Sequence, residues 1–88
     1  MSSAETTSSE SAMLDEMPGA EQFFELGMMY STGRLGSTDL VSAHKWFNIA
    51  ALSGVADAIR QRREIAAEMS EAEIAAAQRA AREWLTRH

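Results

Sequence analysis

Eighty-eight residues with no cysteine allow one small domain held by packing alone, and exclude disulfide scaffolds, thiolate nucleophiles and cysteine-based zinc sites. The net charge of −5 comes from 8 basic and 13 acidic residues, with Glu5, Glu10, Asp15 and Glu16 set in a stretch that carries no base. Those four charges leave −1 for the rest of the chain, a field of the wrong sign to gather phosphate backbones, so no nucleic-acid partner is expected.

In chain order, residues 1–12 are almost entirely Ser, Thr, Glu and Ala, too poor in apolar area to offset the entropy of ordering. Residues 1–19 are therefore expected to be a disordered, acidic, Ser-rich tail, in which Met13, Leu14 and Met17 are the first large apolar side chains. The start has neither the basic opening nor the apolar run of a signal peptide, and no segment reaches the 18 or so apolar residues of a membrane span. A cytoplasmic protein without a membrane partner is expected.

Pro18-Gly19 punctuates the chain ahead of a helix predicted over about Ala20 to Ser31, where Phe23, Leu26, Gly27 and Tyr30 recur at i, i+3, i+4 and i+7. Gly33 ends it. The loop STGRLGST leads to a second helix over about Asp39 to Ser53, capped by Ser37 or Thr38, with Asp39 placed well against the helix dipole. Its stripe is Ala43, Trp46, Phe47 and Ala50, and Gly54 stands where a left-handed C-terminal residue is wanted. A third helix, about Val55 to Met69, carries Val55, Ala58, Ile59, Arg62, Ala66 and Met69, with an arginine interrupting the stripe. Ser70 and Glu73 form a capping box that starts a fourth helix lined by Ile74, Ala77, Ala81, Trp84 and Leu85. No segment has a period of two, so the predicted fold class is all-α, four helices in two antiparallel hairpins.

Leu26-Gly27-x2-Tyr30 followed by Ala43-x3-Phe47-x2-Ala50 has the spacing of a tetratricopeptide-type hairpin. The glycine-bearing turn between the halves is longer than a tetratricopeptide turn. Together with Asp39, Ala43-x2-Trp46-x3-Ala50-Ala51 and Gly54, it resembles a Sel1-like repeat over residues 20–54. Two features depart from that pattern. Leu35 and Gly36 stand where the family has the second glycine and the valine of its Gly-x-Gly-Val turn, and a shift of 36 residues brings Arg62-Arg63 onto Leu26-Gly27. Residues 55–88 accordingly read as a degenerate hairpin that caps a one-repeat solenoid fragment. The resemblance implies close approach of two helices at Gly27, with Tyr30 and Trp46 central. It further implies scaffolding between macromolecules, often in bacterial signalling or envelope regulation, and no reaction.

Catalytic and ligand chemistry finds little footing. The loop Gly33–Thr38 has glycines and hydroxyls before a helix N-terminus but lacks the lysine and spacing of a phosphate loop. His44 and His88 have no partner at i+3 or i+4, and His44 is expected at the surface or half-buried rather than on a metal. Arg60, Arg62 and Arg63 sit among enough acids to form a solvated, ion-paired face. No catalytic residue, cofactor or metal is expected. Phe24, Met28 and Met29 lie off the main stripe of the first helix. Either the C-terminal helices or the Met13–Met17 segment covers them, or they form a partner-binding surface, since methionine adapts its shape to what it binds. The expected function is a protein- or peptide-binding adaptor. The rivals are a self-associating structural protein, such as a homodimer, and a small regulatory or inhibitory protein that uses its acidic N-terminal segment.

Overall fold

The computed structural model describes residues 19–87, so the expectations for residues 1–18 and for His88 lie outside the described residues. The described residues form four helices: α1 (Ala20–Thr32), α2 (Leu40–Leu52), α3 (Ala56–Ala66) and α4 (Glu71–Arg87). Among the described residues there is no strand, and the all-α class holds.

The helix ends follow from local chemistry. Gly19 caps α1, its N–H donating to Gln22 Oε1 at 2.7 Å. At the other end Gly33 takes a left-handed conformation (φ 77°), and the Arg34 N–H reaches back to the Met29 carbonyl at 3.1 Å, which closes the last turn as a Schellman-type ending. The cap of α2 is Asp39, not Ser37 or Thr38. Its Oδ1 accepts from the Ser42 N–H at 3.0 Å and its Oδ2 from the Ser42 hydroxyl at 2.7 Å. A carboxylate placed at the helix start satisfies a free N–H and faces the positive end of the dipole. The Asp39 N–H in turn donates to the Tyr30 carbonyl at 3.0 Å, which ties the start of α2 to the last turn of α1. The Ser70–Glu73 capping box is present in full: Ser70 N–H to Glu73 Oε1 at 2.8 Å and Glu73 N–H to Ser70 Oγ at 3.1 Å. Helix α3 ends at Ala66, three residues short of the predicted Met69, since residues 67–69 turn directly into that box.

All three other helices pack on α2. Its side chains Ala43, Phe47, Ile49 and Ala50 are fully buried, joined by Phe23 of α1, Ala58 and Ile65 of α3 and Ala81 of α4. Two corrections to the sequence stripes follow. Phe47 and Ile49 occupy the centre, whereas Trp46 and Tyr30 are half-buried and pack against it from the rim. On α3 the buried residue is Ile65, seven after Ala58, while Ile59 is 36 % exposed.

The approach of α1 to α2 is set at Gly27. A Cβ there would stand 2.5 Å from Cδ1 and Cε1 of Phe47, closer than carbon atoms can come. The missing side chain is what lets the Phe47 ring come up against the α1 backbone.

Candidate functional site

Two regions gather the residues with functional potential: the rim around Phe23, Trp46 and Trp84, and the side of α2 that faces α3.

At the rim, the Phe23 ring stacks on Trp46 with centroids 5.9 Å apart and meets Trp84 edge-on at 5.1 Å, and the two indoles meet edge-on at 5.6 Å. Edge-on contacts set the positive ring margin against the negative ring face, and each adds a small directional gain to the area buried. The triad joins α1, α2 and α4. Lys45 extends its Nζ over Trp46, 4.4 Å from the ring centroid, where an ammonium gains from the ring quadrupole.

The three residues proposed from sequence as a partner surface do not share one environment. Phe24 packs on Phe47 with ring centroids 5.6 Å apart, and Met28 also lies against the core cluster. Met29 is half-buried and does not join that cluster. It follows Glu25 by one helical turn, and Glu25 is held by Arg34 at 2.7 Å in an exposed ion pair. Helical spacing accounts for the split: Phe24 and Met28 are i and i+4 on the Gly27 side of α1, and Met29 stands one residue further round.

The residues of the repeat pattern fall as follows. Gly27, Ala43 and Ala50 are buried, Leu26, Tyr30 and Trp46 are half-buried, and Gly54 is exposed with φ 106°, a conformation open to glycine and strained for other residues. Gly33 and Gly36, with φ 77° and 118°, shape the turn between α1 and α2, and Leu35 between them is 57 % exposed.

His44 departs from expectation. It is buried, 3 % exposed, and its Nδ1 has no hydrogen-bond partner. Burial pushes its pKa below the usual 6.5, and the nearby Arg62 guanidinium pushes the same way. Arg62 reaches across from α3 to donate to Asn48 Oδ1 at 2.6 Å. That explains how an arginine sits in the α3 stripe: its stem lies along the seam and its head finds an amide on α2. Of the other two residues in the basic cluster, Arg60 pairs with Asp57 at 3.4 Å, and Arg63 is exposed. His44 lies one residue beyond Ala43, off the Ala43–Phe47–Ala50 stripe, which is why sequence periodicity missed its burial.

Among the described residues no group of three or more His, Asp or Glu side chains is arranged to hold a metal ion. No described helix is long and apolar enough to cross a membrane. Comparison with known proteins finds no matching family model, no matching curated protein and no matching solved structure.

Proposed function

We propose that this chain is a small interaction adaptor of Sel1-like character, with α1 and α2 as its one antiparallel repeat hairpin and with α3 and α4, each packed on α2 and not on one another as a second hairpin, as its cap. The observation that supports this most is the use made of Gly27. The residues of the repeat pattern serve helix packing, with Gly27 and Phe47 in contact and Ala43 and Ala50 buried beside them. That is the role such a repeat gives to small residues at those positions. Solenoid hairpins bind through the outer helix faces that packing leaves over. At α1 and the turn after it, what lies outside the core cluster is the half-buried Met29 and the exposed Glu25–Arg34 ion pair. A methionine flanked by one acid and one base suits a protein or peptide segment with an apolar anchor and mixed charge, and this reading assigns no reaction to the chain.

The test is capture of partners from native lysate by the full chain, its Met29→Glu variant and a control, Glu68→Gln, with thermal melts of all three. Loss of the same captured proteins from Met29→Glu alone, with unchanged melting, is the expected result. Equal capture by all three would contradict the assignment of this face.

A further inference from the structure

Along α4 the charges are segregated. Glu71 and Glu73 stand in the first turn, where the helix dipole favours them, and Arg79, Arg82 and Arg87 stand in the second half. The dipole accounts for Arg87, which lies in the last turn, but its influence fades before Arg79 and Arg82. Arg79, Arg82, Glu83, Thr86 and Arg87 recur at i, i+3, i+4, i+7 and i+8, so they share one face, and they line an open concavity on it. The buried Ala77 and Ala81 lie on the opposite face of the helix. All three arginines are exposed, and none has an ion pair with a described residue, although Glu83 is within one turn of each.

This face sets three arginines against one glutamate, Glu83, and belongs to the helix that α1 meets near the point where an acidic segment joins the fold. Residues 1–18 contain Glu5, Glu10, Asp15 and Glu16 and no base. They enter the fold at Gly19, about one helical turn (~6 Å) before Phe23, and the Phe23 ring is 5.1 Å from the Trp84 ring on α4. Eighteen residues reach up to about 60 Å when extended, whereas Arg79 to Arg87 span only about 12 Å of helix. Reach is not limiting. A tether of this kind also supplies an effective concentration of about millimolar, so several weak, exposed ion pairs suffice to populate the contact.

We propose that the Arg79/Arg82/Arg87 face of α4 is a docking surface for the acidic segment of the same chain, residues 1–18. An acidic segment of a partner protein has the same chemistry and must displace residues 1–18 to bind there, which makes the segment a built-in competitor. The inference stands apart from the Met29 surface on α1 and does not depend on it.

The chain has no cysteine, so Ser9→Cys gives a single attachment point for a nitroxide label in the full-length protein. At low salt, the amide NMR signals of residues 79–87 in labelled chain are expected to fall to less than half their intensity in the reduced, diamagnetic form. The signals of α3 should be little changed. The loss should disappear in about 1 M NaCl, where the screening length is about 3 Å. It should also disappear in the Arg79→Gln/Arg82→Gln/Arg87→Gln variant, whose helical circular dichroism verifies that it still folds. Unattenuated α4 signals at low salt would overturn the proposal, as would attenuation that persists in the folded triple variant. So would attenuation that appears fully when labelled, isotope-free chain is mixed with unlabelled 15N chain, because the occupant is then a second copy.

Discussion

At the residue scale, His44 and Gly27 carry the sharpest consequences. The folded chain holds His44 with a pKa below its unfolded value of 6.5, so the unfolded chain binds the proton more readily. The contribution of His44 is therefore complete above about pH 6.5 and is lost as pH falls from there toward the lower folded value, with a slope of at most about 1.4 kcal/mol per pH unit. Carboxylates titrate mainly below this window. Denaturant unfolding at pH 7.5 and 5.5 should show that wild type loses more stability over the interval than His44→Leu, and parallel losses would contradict the assignment. The unpartnered Nδ1 makes a second point: leucine removes a buried polar atom that gains nothing in return, so the variant should be no less stable than wild type at pH 7.5. For the aromatic residues, depth decides. Phe47 is fully buried and Phe47→Ala should cost about 3–5 kcal/mol, while the half-buried Trp46 should cost less on truncation to alanine. Chemical denaturation of the two variants ranks them directly, and a larger loss at Trp46 would place the core elsewhere.

At the scale of the element, capping chemistry was the most legible part of the sequence. Ser70-x-x-Glu73, Gly33 and Gly54 mark helix ends by requirements that are local: a free N–H to satisfy, or a positive φ to adopt. These need no knowledge of the rest of the chain. Ser70→Ala should cost about 1 kcal/mol by removing the acceptor of the Glu73 N–H, read as a drop in melting temperature. An unchanged melt would mean that the start of α4 is held by packing alone. The cap of α2 was harder to place because three polar residues in a row, Ser37, Thr38 and Asp39, can each serve, and only the path of the turn selects Asp39. What periodicity could not give was the breadth of the buried arc on α2. A single stripe describes a helix packed on one side, but α2 meets α1, α3 and α4, so His44 and Ile49 are buried on either flank of the Ala43–Phe47–Ala50 line. Ile65 was within reach, since it repeats Ala58 after seven residues, and the charged residues Arg62, Arg63 and Glu64 just before it obscured the pattern.

For the whole molecule, a folded part of about 70 residues should hold only about 3.5–10 kcal/mol against unfolding. One core truncation of Phe47 removes a large share of that. That is the reason the proposed partner face is set at Met29, outside the core cluster, and not at Phe24 and Met28, which pack against it. The same division made the candidate surface only partly legible: three apolar residues lie near one another in sequence, but their contacts depend on how α1 is rotated against α2.

That rotation is fixed by the fit of Gly27 against Phe47, and a double-mutant cycle on the pair probes it most directly. Gly27→Ala gains about 1 kcal/mol of helix propensity, yet its methyl group meets a fully buried ring at 2.5 Å. Overpacking of this kind costs about 1–3 kcal/mol, so the single variant should be neutral to destabilised in spite of the better helix former. Phe47→Leu removes the rigid ring, Cε1 included, and leaves a side chain that can turn aside to relieve the collision. Unfolding free energies of wild type, Gly27→Ala, Phe47→Leu and the double variant should show Gly27→Ala to be stabilising in the Phe47→Leu background, with a coupling of about 1 kcal/mol or more. If the two substitutions add independently, the helices do not meet at this pair and the packing described for α1 and α2 is wrong.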